Sequence, residues 1–375
     1  MSERENADAR KTRSAERNLK RMDGQGLTVA VVGATGVVGN EMVRVLAQRR
    51  FPVRALRLFA TARSAGRRLP FGDREIEIEE TSAAALSGHE VVLFAGGDDA
   101  SRQFAWTVAD GGGVAIDNSS TWRLDPRVPL VVPEVNAHAL PAHQGVIANP
   151  NCTAATMVMA LAPLHRAVGI RRVVVATYQS VSGGGADNVR ALLEQTRALL
   201  DETDALQDGS LDRIERATGT AHPLAFNVLP QWKWGADGYT EEELKIVAET
   251  HKILEADFPV LPTTVRVPVL VGHTVAMHLD LGRPLAPEEA RRILAASAGV
   301  EVVDAPEAGR FPTPLLSAGR DEVLVGRIRR DPSSATGLLL VAAGDNLRKG
   351  AALNAVQIAE ALVAERLLPR APARA

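Results

Sequence analysis

Leu27-Thr28-Val29-Ala30-Val31-Val32-Gly33-Ala34-Thr35-Gly36-Val37-Val38-Gly39 decides the fold. The first six residues are mostly apolar and β-branched. A run that short and that continuous reads as a buried strand over Leu27–Val32. A helical stretch follows from about Val37 to Arg50, and Pro52 ends it. Between them, glycines let the backbone turn tightly and approach a pyrophosphate, while the helix start offers unpaired N–H groups and a positive dipole end. A ligand-free strand-to-helix turn can use the same glycines. Placement directly after an N-terminal buried strand favours nucleotide binding. Gly33, Thr35, Gly36, Val37 and Val38 are therefore candidate cofactor contacts.

Outward from this motif, strands are predicted over Arg54–Ala60, Ile76–Glu79, Val91–Phe94 and Gly113–Ile116, with a helix over Gln103–Asp110. This alternation specifies an α/β, Rossmann-like doubly wound parallel sheet covered on both faces. The second strand ends Phe59-Ala60-Thr61-Ala62-Arg63-Ser64. NAD binders place an acid here for the ribose 2′-OH. None is present, and the hydroxyls of Thr61 and Ser64 with the Arg63 guanidinium suit the 2′-phosphate of NADP. A merely solvated Arg63 is the plainer alternative.

Texture changes after Pro150. Helices are predicted over Thr153–His165, Ala186–Asp204, Glu241–Leu254 and Pro287–Ala296. Strands are predicted over Arg171–Gln179, Thr263–Val271, Thr274–Leu281, Val323–Arg330 and Gly337–Ala343. Antiparallel pairing on a helix layer, an α+β domain, is the reading of this half. A last helix over Leu347–Leu368 carries an apolar stripe, Leu353, Val356, Ile358, Ala359, Leu362 and Val363, that must be buried.

The bulk numbers fit two domains in 375 residues, with 46% apolar and 23% charged residues. A net charge of -2 points to neither nucleic acid nor a membrane surface, and no apolar run approaches the ~20 residues of a membrane span. The single cysteine, Cys152, excludes an intramolecular disulfide and argues against a cysteine metal cluster; no metal is expected. Residues 1–25 are polar and mix acids with bases, unlike a signal or transit peptide. They read as a disordered or loosely helical tail, and a cytoplasmic location is the default.

Asn149-Pro150-Asn151-Cys152-Thr153-Ala154 precedes the first helix of the second half. Asparagine is a good N-cap, and a cysteine in the first turn meets a dipole and N–H groups that favour its thiolate. A buried, inert cysteine fits the position equally well.

Taken with Thr177–Gly183 (Thr-Tyr-Gln-Ser-Val-Ser-Gly), Asp117–Ser120, Val131–Asn136, Glu241–Lys245, Val265–Val269, Gly272-His273 and Gly344–Ala352, this segment resembles the aspartate-semialdehyde dehydrogenase family, with matches in order along nearly the whole chain. The resemblance implies a reversible reaction: aspartate semialdehyde, inorganic phosphate and NADP+ give aspartyl-4-phosphate and NADPH through a thioester on Cys152. It implies His273 as acid/base residue and Gln179 as the group orienting substrate. Arg266, Glu242 and Asn151 would bind substrate, and Arg123, Lys245 and Asn118 would bind phosphate. Ser182, Gly183 and Asn346 would join the cofactor contacts. It also implies a homodimer or tetramer, a product feeding lysine, diaminopimelate, methionine and threonine synthesis, and a discontinuous nucleotide domain. The expected division is 26–151 with 346–375 for NADP, and 152–345 for catalysis and dimerisation. Two departures stand out: Gly184 replaces a frequent alanine, and Asp98 and Asp99 could weaken a nearby dinucleotide. Rival readings are another acyl-phosphate or acyl-CoA reductase, or a catalytically silent binding subunit.

Overall fold

The computed structural model describes residues 26–230 and 233–369. The tail expectation lies outside these residues. The chain divides into two compact units, one of residues up to Pro150 with those from Ala351, the other Asn151–Gly350.

In the first unit the strands are β1 (Leu27–Val32), β2 (Val53–Ala60), β3 (Arg68–Phe71), β4 (Arg74–Glu80), β5 (Val91–Phe94), β6 (Val114–Asp117) and β7 (Val146–Ala148). They form one sheet in the order β3-β4-β2-β1-β5-β6-β7. All pairings are parallel except the β3/β4 edge hairpin. β3 escaped the sequence reading because it is short and holds Pro70, which only an edge strand tolerates. Every residue of β5 and β6 is buried, as a sheet with both faces covered requires. Helix α1 (Val37–Gln48) follows β1, and α2 (Asp98–Asp110) starts at Asp98 rather than Gln103, with two acids at the positive end of its dipole.

The terminal helix, Leu353–Glu365, puts its whole predicted stripe into the same core as Val29, Met42 and Leu46. Arg49, the C-cap of α1, clamps Glu360 through two 2.8 Å bonds. The helix starts later than Leu347 because residues 348–352 form a wider turn.

In the second unit, α3 (Cys152–Val168), α4 (Ala186–Leu199) and α5 (Glu241–Leu254) accompany a sheet of β8 (Ile170–Gln179), β9 (Leu229–Pro230), β10 (Val260–Arg266), β11 (His273–Leu281), β12 (Val300–Val302), β13 (Val323–Arg330) and β14 (Gly337–Gly344). The order is β12-β13-β14-β11-β8-β10-β9. The sheet is mixed rather than antiparallel: β8/β10 and β12/β13 are parallel, with helices crossing between β8 and β10. β10 stops at Arg266, short of the predicted Val271, since Pro268 has no N–H to continue the ladder. The helix predicted over Ala186–Asp204 breaks after Leu199, and Leu211–Thr218 adds a helix that the sequence reading missed. Helices α3 and α5 cover one face of the sheet; Val174 and Tyr178 lie exposed on β8.

Candidate active site

Strand register gathers the chemistry of the second unit at one sheet end. Gln179 closes β8 and pairs with Arg266, which closes β10. His273 opens β11 beside them, opposite Gly344. Cys152 opens α3, capped by Asn151, whose Oδ1 accepts the Thr153 N–H at 2.8 Å and the Ala154 N–H at 3.2 Å.

Cys152 Sγ and His273 Nε2 are 3.1 Å apart. His273 is fully buried. Burial, then the Arg266 charge, drive its pKa down to about 3, against a smaller opposing pull from the Gly272 backbone. The imidazole is therefore neutral at physiological pH.

Arg266 Nη1 donates to the Ser180 carbonyl at 2.6 Å, while its buried Nε has no hydrogen-bond partner among the described residues. Burial lowers the guanidinium's pKa, opposed by Cys152 and Glu242. A desolvated cation with an unused donor beside the thiol is suited to a carboxylate. Gly183 makes room for it: a β-carbon there would lie 3.2 Å from Arg266 Nη1 and 3.5 Å from His273 Nε2. A β-carbon on Gly184 would meet only the side chain of Asn188, 2.0 Å from its Nδ2.

Glu242 Oε1 accepts from Asn151 Nδ2 at 2.9 Å and Gln179 Nε2 at 3.2 Å. One carboxylate thus ties α5 to both the nucleophile's cap and the β8 end. Lys245 sits half-buried one turn along. Glu249, on the same stripe as Glu242, accepts the Asn151 N–H at 2.6 Å. Sequence reasoning missed Glu249, although its seven-residue spacing from Glu242 was the available signal.

Asn346 and Ser182, expected at the cofactor, are buried and bonded to each other at 2.9 Å. Asn346 Oδ1 also accepts the Gly272 N–H at 2.8 Å and the Ser180 hydroxyl at 2.9 Å. Asn346 and Ser182 both lie in the compact unit Asn151–Gly350. Gly350 presses on the nucleophile, its missing β-carbon only 2.8 Å from Cys152 Cβ.

In the first unit, Gly33 has φ of +80°, and a β-carbon there would meet the Ala95 backbone at 2.6 Å. One on Gly39 would lie 2.1 Å from the Gly33 carbonyl oxygen. The cap of α1 is Gly36, which has no side chain to bond the first turn. Thr35, Val37 and Val38 stand in this bare loop and helix start. Thr61, Arg63 and Ser64 form the turn after β2, the first two exposed. A glycine turn leading into a helix start fits the pyrophosphate of a dinucleotide. Asp98 binds the Ser120 N–H at 2.9 Å and also accepts from Thr121, and Asp99 pairs with Arg102; both acids have local partners.

Arg123 is buried, Nε donating to the Asn149 carbonyl and Nη2 to the Asn118 carbonyl, each at 2.9 Å. Asp117 shapes that turn by accepting the Ser119 N–H and hydroxyl; burial raises its pKa, against those bonds. Among the described residues no cluster of three or more His, Cys, Asp or Glu could hold a metal, and no helix is long and apolar enough to cross a membrane.

Residues 28–143 match the family model for the semialdehyde dehydrogenase NAD binding domain, and 161–349 match that for the semialdehyde dehydrogenase dimerisation domain. Aspartate-semialdehyde dehydrogenase of Aquifex aeolicus is 44% identical over 348 residues, covering 92% of this chain and all of that one. The chain belongs to the aspartate-semialdehyde dehydrogenase family. The family's enzyme from Bacillus subtilis is 40% identical over 348 residues, 90% of this chain and 98% of the relative. The crystal structure of aspartate semialdehyde dehydrogenase II from Vibrio cholerae complexed with ASA superposes with a TM-score of 0.83 at 40% identity, covering 91% of this chain and 99% of that one. Within this family the fold is settled as a nucleotide-binding parallel sheet with a second, mixed-sheet domain.

Proposed function

We propose that this chain catalyses the reversible oxidation of L-aspartate 4-semialdehyde to L-4-aspartyl phosphate with NADP and inorganic phosphate. The carrying observation is the 3.1 Å approach of Cys152 Sγ to His273 Nε2, with the unpartnered Nε of Arg266 close by. The names borne by relatives at 44% identity support the substrate.

Cys152 attacks the aldehyde carbon, and the adduct's oxidation leaves a thioester that phosphate then cleaves. NADP+, when bound, supplies the hydride acceptor for that oxidation. Arg266 grips the substrate carboxylate. Glu242 takes its ammonium, held in place by Asn151 and Gln179. Arg123, Asn118 and Lys245 serve phosphate. Gly33 to Val38 cradle the pyrophosphate, and Thr61, Arg63 and Ser64 select NADP over NAD. Ser182, Gly183 and Asn346 line the nicotinamide side while supporting His273. The chain acts as a homodimer through its second sheet, within residues matched by a dimerisation domain, and works in the cytoplasm in amino-acid biosynthesis.

Purified protein with aspartate semialdehyde tests this. Reduction of NADP+ should depend on phosphate, and CoA should not replace it. Equal rates with CoA, or none with phosphate, would overturn the assignment.

A further inference from the structure

Asn118 and Asn149 directly follow two neighbouring parallel strands, β6 and β7. Their backbones meet there, the Asn149 N–H donating to the Asp117 carbonyl at 2.7 Å. Ligands of an open parallel sheet bind outside this carboxyl end of its strands. Arg123 is held against the same two residues through their carbonyls. Between the two side chains runs a hydrogen bond whose direction is set from the terminal helix.

Asn354, fully buried in that helix, donates from Nδ2 to the Val131 carbonyl at 2.8 Å and to Asn149 Oδ1 at 2.6 Å. A carbonyl only accepts, so the atom facing Val131 is the amide nitrogen, and both of its hydrogens are used. Asn149, also fully buried, is turned by a second carbonyl. Its Nδ2 donates to the Ala351 oxygen at 3.0 Å and to Asn118 Oδ1. Only an oxygen of Asn118 can receive that last hydrogen, so the Asn118 amide has one orientation. Its Nδ2 faces away from Asn149, and among the described residues none accepts its hydrogens. Asn118 itself is half-buried. Asn354 sits in a helix otherwise buried through Leu353, Val356 and Ile358, where a carboxamide costs desolvation that an apolar side chain would not.

We propose that Asn149, held by Asn354 and the Ala351 carbonyl, is a positioning residue for anion binding: it fixes Asn118 as a hydrogen-bond donor toward inorganic phosphate, next to the Arg123 guanidinium. The inference rests on the phosphate reading of Asn118 and Arg123 above. A phosphate oxygen accepts N–H bonds, whereas a carboxamide oxygen in the same place would repel it. An amide without a set direction must be turned as the anion binds, and that ordering weakens binding.

Steady-state assays of NADP+ reduction, titrating phosphate and aspartate semialdehyde separately, test this in Asn118→Ala, Asn149→Ala and the double variant. Asn118→Ala removes the donor and should raise the KM for phosphate about tenfold, the worth of a hydrogen bond to a charged group. Asn149→Ala keeps Asn118 but frees its amide. It should raise the phosphate KM roughly three- to tenfold, while the aldehyde KM moves less than about twofold. A residue that acts through Asn118 has nothing to act on once that side chain is gone. The double variant should therefore match Asn118→Ala within about twofold. Should Asn149→Ala fail to fold, by melting temperature and NADP titration, Asn149→Ser fills part of the cavity and carries the same cycle with the same expectations. Effects that multiply in the double variant would mean that Asn149 acts on Arg123 or on the fold, and would overturn the proposal. So would an unchanged phosphate KM in Asn149→Ala, or an aldehyde KM that rises equally. If Asn118→Ala alone leaves the phosphate KM unchanged, the phosphate reading itself fails and the proposal fails with it.

Discussion

A β-carbon on Gly350 would stand 2.8 Å from the Cβ of Cys152 and 3.1 Å from its Cα. The nucleophile's position therefore depends on a missing side chain 198 residues away in sequence. Neither atom belongs to a flexible side-chain end, so Gly350→Ala must push the start of α3. A displacement near 1 Å at a reacting atom costs on the order of a hundredfold. The variant should fold, bind NADP normally, and lose roughly ten- to a hundredfold in kcat, with slower alkylation of Cys152 by iodoacetamide. Unchanged alkylation and kcat would show that α3 has slack that the geometry does not suggest.

Arg266 offers a planar fork with a buried, unused Nε. Lysine keeps the charge and loses the fork. Arg266→Lys should raise the KM for aspartate semialdehyde by about ten- to a hundredfold, corresponding to ~1.5–3 kcal/mol for a charge-assisted contact. The KM for phosphate should move little. Steady-state titration of each substrate separates the two, and equal effects on both would remove Arg266 from the carboxylate site.

Much of this was legible in the sequence, and the reasons are local. The expected bounds of Leu27–Val32, Val91–Phe94 and Glu241–Leu254 are those of the structure, because each is an unbroken pattern; in the structure Thr240 and Glu243 form a capping box at the start of the last. Cys152 and His273 were nameable from motif and resemblance. What stayed hidden depends on three dimensions. Glu249 looks like one more helix carboxylate until its 2.6 Å bond to the Asn151 N–H is seen. The main-chain N–H of Ser180 donates to His273 Nδ1 at 3.0 Å, a contact that no residue pattern reveals. The parallel pairing of β8 with β10 joins segments with four described α-helices between them, and strand periodicity carries no information about direction.

Cofactor choice should rest on Arg63, exposed in the turn after β2 with no acid beside it. Arg63→Ala should cut kcat/KM for NADP by about ten- to a hundredfold, the worth of one charge-assisted phosphate contact, and leave that for NAD nearly unchanged. Loss with both cofactors alike would place Arg63 in the fold rather than at a 2′-phosphate.

His273 links stability to pH. Its folded pKa is about 3, against roughly 6.5 when unfolded. The unfolded chain therefore binds the extra proton first. The neutral ring's contribution is complete above about pH 6.5 and is lost as pH falls toward 3. Removing the imidazole by His273→Gln should flatten the acid limb, so the melting-temperature gap between wild type and variant should change steadily from pH 7 to pH 4. Parallel curves over that range would mean that the ring is not buried as a neutral group.

The central claim is a thioester on Cys152, and one measurement reaches it directly. Enzyme mixed with NADP+ and aspartate semialdehyde, without phosphate, is quenched in acid and its peptides are weighed by mass spectrometry. An aspartyl group should appear on the peptide holding Cys152, with a burst of NADPH close to one per active site. Both should vanish in Cys152→Ala, which still binds NADP, and phosphate added before the quench should discharge the adduct. A full burst with no acyl group on Cys152, or an adduct that persists in Cys152→Ala, would contradict the account.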